Sequence, residues 1–240
     1  MFRTLIWFCY LWLTLFASVP RMLKAKKYHE AEQFDERDII VNNQAGPWAR
    51  KLLKLSGNTV TVNGLENIPK DRAVLFVANH QSNFDIPILL GHIDKPKAFI
   101  AKIELEKFPI LNTWMSLMEC VFMDRDNIRQ SAKSIGKGIK SLKNGYSMVV
   151  FPEGTRTDDG ILLEFKPGAL KLATKSGVPV VPVTINGSKS IMKKGSKIIH
   201  PAHVEIIISP IIEMNDEWKH DTIALAEKVK GIIDKNLNQS

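Results

Sequence analysis

At 240 residues and 45% hydrophobic composition, the chain is long enough to bury one good-sized core, and a single catalytic-size domain is the default. The excess of 33 Lys+Arg over 25 Asp+Glu, net +8, favours anionic partners, but no finger spacing and no aromatic RNA-binding signature supports nucleic acid. Two cysteines, Cys9 and Cys120, exclude a disulfide framework and a thiolate metal cluster, and read as buried thiols in a reducing compartment.

From Leu5 to Val19 only Thr14 and Ser18 are polar; Pro20 ends the run, and Arg21, Lys24, Lys26 and Lys27 follow. The run is short of the ~20 apolar residues a spanning helix needs. A secretory signal fits the length, but residues 17–19 make a poor cleavage site and the cations follow the run. Trp7, Tyr10 and Trp12 favour an interfacial helix, with the cations holding its end at an anionic, cytoplasmic surface. Residues 28–43 are polar and read as a connector, partly helical. Trp48, Leu52, Leu53 and Leu55 then repeat at helical spacing among Arg50, Lys51 and Lys54, which suits either core packing or a second membrane-lying helix.

From Thr59 the pattern changes. Val60 and Val62 alternate with threonines, and short apolar runs follow at 73–78, 98–101, 121–123, 148–151, 178–185 and 204–208, separated by helical stretches. Continuous apolar runs indicate strands covered on both faces, and their alternation with helices indicates an α/β fold with a mixed, mostly parallel sheet. Ile128, Ala132, Ile135, Ile139 and Leu142 mark one helix, and residues 222–237 a closing helix. The expected division is an N-terminal membrane-anchoring helical region, 1–57, and an α/β catalytic domain, 58–240.

Three segments carry chemistry, each at the carboxyl end of an expected strand, where α/β sheets bind ligands. His80-Gln81-Ser82-Asn83-Phe84-Asp85 follows the run at 73–78. On one continuous helix His80 and Asp85 would point ~140° apart; a loop entering a helix near Phe84, capped by Ser82 or Asn83, lets Asp85 turn back to the imidazole. Met123-Asp124-Arg125 and Phe151-Pro152-Glu153-Gly154-Thr155-Arg156 add two guanidinium groups suited to phosphate. No other His or Cys sits at ligand spacing near His80, so no metal is expected.

The block from His80 to Asp85 resembles the H-x-x-x-x-D motif of the glycerolipid acyltransferases, specifically the 1-acyl-glycerol-3-phosphate acyltransferases. Phe122-Met123-Asp124-Arg125, the block from Phe151 to Arg156, and Val181-Pro182-Val183 resemble their second, third and fourth blocks. Lys102-Ile103-Glu104-Leu105 with Pro109, and Phe165-Lys166-Pro167-Gly168, are also similar. The ordered set covers about residues 58–210. Asn112 stands where the family often has Gly, and Thr157 where it often has Ser. The resemblance implies transfer of an acyl group from acyl-CoA or acyl-carrier protein to lysophosphatidic acid, with no cofactor. It implies His80 as general base oriented by Asp85, and Lys102, Arg125, Glu153, Gly154, Thr155 and Arg156 in substrate binding. In that set the arginines meet phosphate and Glu153 meets a hydroxyl or a cation. Together with the apolar run and the cations after it, this resemblance gives membrane phospholipids as expected partners and the cytoplasmic face of the cell membrane as the expected location. Transfer to glycerol-3-phosphate or another lysolipid, hydrolysis by the same His–Asp pair, and non-catalytic lipid binding are the alternatives.

Overall fold

The structure, a computed structural model, describes residues 2–157 and 161–239. Its strands are β1 (Thr59–Asn63), β2 (Leu75–Ala78), β3 (Ala98–Lys102), β4 (Val121–Met123), β5 (Met148–Val150), β6 (Val180–Asn186) and β7 (His203–Ile208). They form one seven-stranded sheet in the order β1-β7-β6-β2-β5-β3-β4. The five strands from β6 to β4 are parallel, β7 is antiparallel to β6, and β1 pairs parallel to β7. The expected mixed, mostly parallel sheet is therefore what forms. Because β2, β4 and β5 run the same way, the segments that follow them emerge on one edge.

The strands are apolar throughout because both faces are covered. Phe76 and Ala78 of β2 face a core with Phe84, Ile88 and Leu89, while Leu75 and Val77 face Leu142, Leu170, Leu172 and Val229. The first face is covered by α1 (Phe2–Ala17), α3 (Phe34–Ser56) and α4 (Asp85–His92). The second is covered by α6 (Ile128–Lys143), α7 (Pro167–Ser176) and α9 (Thr222–Gln239). A smaller cluster of Leu15, Met22, Ala25, Val41, Trp114 and Leu117 joins α1 and α3 to α2 (Val19–Glu30) and α5 (Pro109–Leu117). A short helix, α8 (Asp216–His220), precedes α9.

The amino-terminal segment departs from expectation in three ways and settles one alternative. The polar stretch 28–43 is not a connector: α2 runs to Glu30 and α3 starts at Phe34, leaving one turn in which Glu32 takes a positive φ of 57°. The patch at Trp48 to Leu55 belongs to the same α3, and Leu52 and Leu53 are buried in the sheet core, which decides for core packing. Trp7, expected at a membrane interface, is buried, donating its Nε1–H to Leu52 O at 2.9 Å and packing on Phe84 with ring centroids 5.2 Å apart. Cys9, expected to be buried, is exposed on α1. Cys120 accepts a bond from Phe99 N–H at 3.3 Å, and burial pushes its thiol up to about 12.

Among the described residues no single helix is long and apolar enough to cross a membrane. Together α1 and α2, bent by 46° at Ser18, meet that test by length and composition only.

Candidate active site

β2 ends at Ala78, and Asn79 fastens that end: its amide donates to Ile185 O at 2.9 Å and accepts from Ile185 N–H at 2.8 Å. The chain then turns through His80 and enters α4 at Asp85. No side chain caps this helix in the usual way. Asn83 is exposed; Ser82 donates its hydroxyl to Met192 O at 3.2 Å, and its Oγ accepts a long bond from Phe84 N–H at 3.4 Å, a weak form of the expected cap. Asp85 instead turns back into the loop. Its Oδ2 accepts from His80 Nδ1 at 2.7 Å, Gln81 N–H at 2.8 Å and Ser82 N–H at 2.9 Å. A carboxylate only accepts, so Nδ1 carries the hydrogen and a neutral ring presents its lone pair at Nε2. Asp85 is fully buried, whereas the His80 side chain keeps 12% exposure. The imidazole stacks on Phe151, centroids 4.1 Å apart and planes 19° from parallel.

The turn after β5 closes over the same backbone. Glu153 is buried; its Oε1 accepts from His80 N–H at 2.7 Å and its Oε2 from Leu163 N–H at 3.0 Å. Burial, opposed by these two bonds, pushes its pKa above the ordinary carboxylate range. Gly154 takes a φ of +72°, and a Cβ there would lie 2.9 Å from Lys166 Nζ, so a side chain would be strained as well as crowded. Arg125, two residues past β4, donates to Gly154 O. Burial lowers its pKa while Glu104 raises it, leaving a partly desolvated cation against the turn at 151–157. Hydrogen bonds join Asp85 to His80, His80 to Glu153 and Gly154 to Arg125, and the peptide bond between Glu153 and Gly154 makes them one continuous chain.

A family model described as Acyltransferase matches residues 59–186, more than half of the sequence. The chain belongs to the acyltransferase family. A probable 1-acyl-sn-glycerol-3-phosphate acyltransferase of Mycoplasma pneumoniae is 44% identical over 162 residues, 64% of this chain and 58% of that protein's length. The 1-acyl-sn-glycerol-3-phosphate acyltransferase of Borreliella burgdorferi is 31% identical over 77% of this chain and 74% of its own. The crystal structure of the 1-acyl-sn-glycerophosphate acyltransferase PlsC from Thermotoga maritima superposes with a TM-score of 0.85 at 30% identity, covering 99% of this chain and 94% of that one.

Other residues of the acyltransferase singled out from sequence lie on the same edge with less engagement. Lys102 ends β3 and pairs with Glu104 at 2.5 Å, both half-exposed. Thr155 is exposed and Arg156 half-buried; among the described residues no hydrogen bond or ion pair holds the Arg156 guanidinium. Sequence reasoning missed several supports. Thr157 donates its backbone N–H to His80 O at 3.0 Å, and its hydroxyl lies 3.5 Å from the same oxygen. The main bond is made by backbone, which is physically compatible with either Ser or Thr at this position. Gln81 accepts from Ser188 at 3.4 Å. Only Phe151 and Gln81 within the motif blocks, and Asn79 and Thr157 flanking them, hinted at these roles.

Proposed function

We propose that this acyltransferase moves a fatty acyl group from acyl-CoA or acyl-carrier protein to the sn-2 hydroxyl of 1-acyl-glycerol-3-phosphate, giving phosphatidic acid. The observation that carries the reading is the His80–Asp85 pair, bonded at 2.7 Å on a partly exposed ring. His80 Nε2 takes the hydroxyl proton as the oxygen attacks the thioester carbonyl, and Asp85 stabilises the imidazolium. Collapse of the tetrahedral intermediate expels the thiolate, which leaves as thiol after taking the proton. No enzyme nucleophile is required, and Ser82, buried and bonded to Met192 O, is in no position to act as one. Arg125 and Arg156 suit the acceptor phosphate, the first because it is already partly desolvated on the turn that holds His80 and the second because its fork is uncommitted.

The substrates are amphiphiles, and α1 offers a way to meet them. Phe2, Leu5, Leu13 and Phe16 lie on its outward face at 78%, 62%, 68% and 61% exposure, while Trp7 and Leu15 face the protein. An apolar stripe of this kind followed by Arg21, Lys24, Lys26 and Lys27 suits a helix lying in an anionic leaflet at the cytoplasmic face.

The test is a transfer assay with labelled acyl-CoA, offering lysophosphatidate, glycerol-3-phosphate and other lysolipids in parallel. We expect phosphatidate from lysophosphatidate, and a rate loss of about 10²–10⁴-fold in His80→Ala. Preference for another acceptor would replace the substrate assignment. Near-normal transfer by the variant would remove His80 as the base.

A further inference from the structure

We infer that Glu153 is a positioning residue whose ionised carboxylate clamps the backbone of the His80 loop, rather than a contact for the acceptor head group. The inference rests on His80 being the base proposed above. Both Glu153 oxygens are occupied by backbone donors from separate segments: His80 N–H at 2.7 Å on Oε1 and Leu163 N–H at 3.0 Å on Oε2. The side chain is buried, with only 4% of its surface exposed. The other polar atom of the His80 backbone, its carbonyl oxygen, is taken by Thr157 N–H at 3.0 Å from the same turn. The turn at 151–157 therefore grips His80 through both its N–H and its C=O, and Phe151 of that turn stacks on its ring. Asp85 fixes the rotation of the imidazole from one side; the turn fixes the Cα from which it hangs. Holding a buried carboxylate costs free energy, and its raised pKa shows that the two bonds only partly offset that cost. Such a group is retained where geometry matters, because a displacement of about 1 Å at a reacting centre can cost on the order of 10²-fold in rate.

Glu153→Gln separates the two roles. A glutamine has one acceptor oxygen for two N–H donors, and its NH2 must face the other donor. In the transfer assay we expect kcat to fall about 10- to 100-fold, with the KM for lysophosphatidate changed less than about two-fold. Site-resolved amide exchange should show faster exchange at His80 or Leu163, while the Gln81 and Ser82 amides, held by Asp85, stay protected. Glu153→Asp, one methylene too short to span both donors, is read in the same way and serves if the glutamine variant does not fold. A raised acceptor KM with kcat preserved would show a head-group contact and overturn the inference. Unchanged exchange at both amides would overturn it too. Should the wild-type protein transfer no acyl group to any lysolipid, the functional reading fails, yet the exchange measurement still decides whether the clamp exists.

Discussion

Asp85 gathers three donors onto one oxygen, so its replacement affects more than charge. In Asp85→Asn the amide can offer an N–H to Nδ1, which moves the ring hydrogen to Nε2 and removes the lone pair that the proposed reaction needs; the imidazolium of that proposal also loses its counter-charge. A fall in kcat on the order of 10³-fold or more is expected, and a pH–rate profile should show that raising pH does not restore it. A second residue tests burial alone. Lys97 is buried, donates to Ile93 O at 2.6 Å, and desolvation lowers its pKa to about 7. Below that pH the folded protein carries a desolvation cost the unfolded chain does not. From pH 7 to about 10.5 the unfolded state binds more protons than the folded one, so this lysine makes stability rise with pH. Lys97→Met should therefore be more stable than wild type at pH 6, on the order of a few kcal/mol, and the gap should close by pH 10. Urea unfolding at both values checks it; a constant gap would exclude the linkage. At this scale the motif side chains were visible in the sequence, because His, Asp, Glu and Arg beside strand ends are chemically conspicuous. Their backbone partners were not: Leu163 N–H and Thr157 N–H belong to no residue type, and only folding brings them to Glu153 and His80.

Arg37 shows the same limit for a whole element. It lies in the polar stretch that reads as a connector, yet its side chain is fully buried within α3. Its guanidinium meets Glu119 at 2.6 Å, Asp38 at 2.8 Å, Tyr146 Oη at 2.7 Å and His29 Nδ1 at 3.0 Å. Glu119 precedes β4 and Tyr146 precedes β5, so this hub fastens α2 and α3 to the amino ends of the parallel strands, the edge opposite the site. Arg37→Ala leaves two partly buried acids without their counter-charge and should destabilise the fold by about 3 kcal/mol. Arg37→Met, which refills the volume, should cost no more than the alanine, and both should transfer acyl groups normally well below their melting temperatures. Calorimetry with an activity assay at low temperature tests this; a severe kcat loss in the folded variant would tie the hub to the site. The five parallel strands were legible within a few residues, because strands covered on both faces must be apolar along their length. The reversed β7–β1 pair was not, since direction leaves no mark on an apolar run. α3 was half legible: Leu52 and Leu53 show the helical period, whereas Arg37 is charged and buried only through ion pairs made at long range.

For the whole molecule, the proposed lipid chemistry turns on whether α1 meets a membrane surface. α1 packs directly on the catalytic segment through Trp7 and Phe84, the residue before Asp85. Its Thr4 hydroxyl accepts from Ile199 N–H at 3.0 Å, and the same 188–200 segment receives the Ser82 hydroxyl at Met192 O. Deleting the amino-terminal residues would strip Trp7, Leu15, Met22 and Ala25 from the cores, so it would confound anchoring with folding. The two faces of α1 separate these effects. On the outer face, Leu5, Leu13 and Phe16 are each more than 60% exposed and contribute little to folding. Burial of such side chains is worth about 1.5–3 kcal/mol each, so Leu5→Ser, Leu13→Ser and Phe16→Ser together should reduce partitioning into anionic phospholipid vesicles by more than about 100-fold, with the melting temperature unchanged. On the inner face, Trp7→Ala should cost about 3–5 kcal/mol of folding stability and lower kcat by loosening Phe84 beneath Asp85, while the folded fraction still binds vesicles. Vesicle flotation and thermal melts of the two variants distinguish the faces. If the triple-serine protein floats as well as wild type, α1 is not the lipid-facing element and the membrane contact proposed for it is wrong.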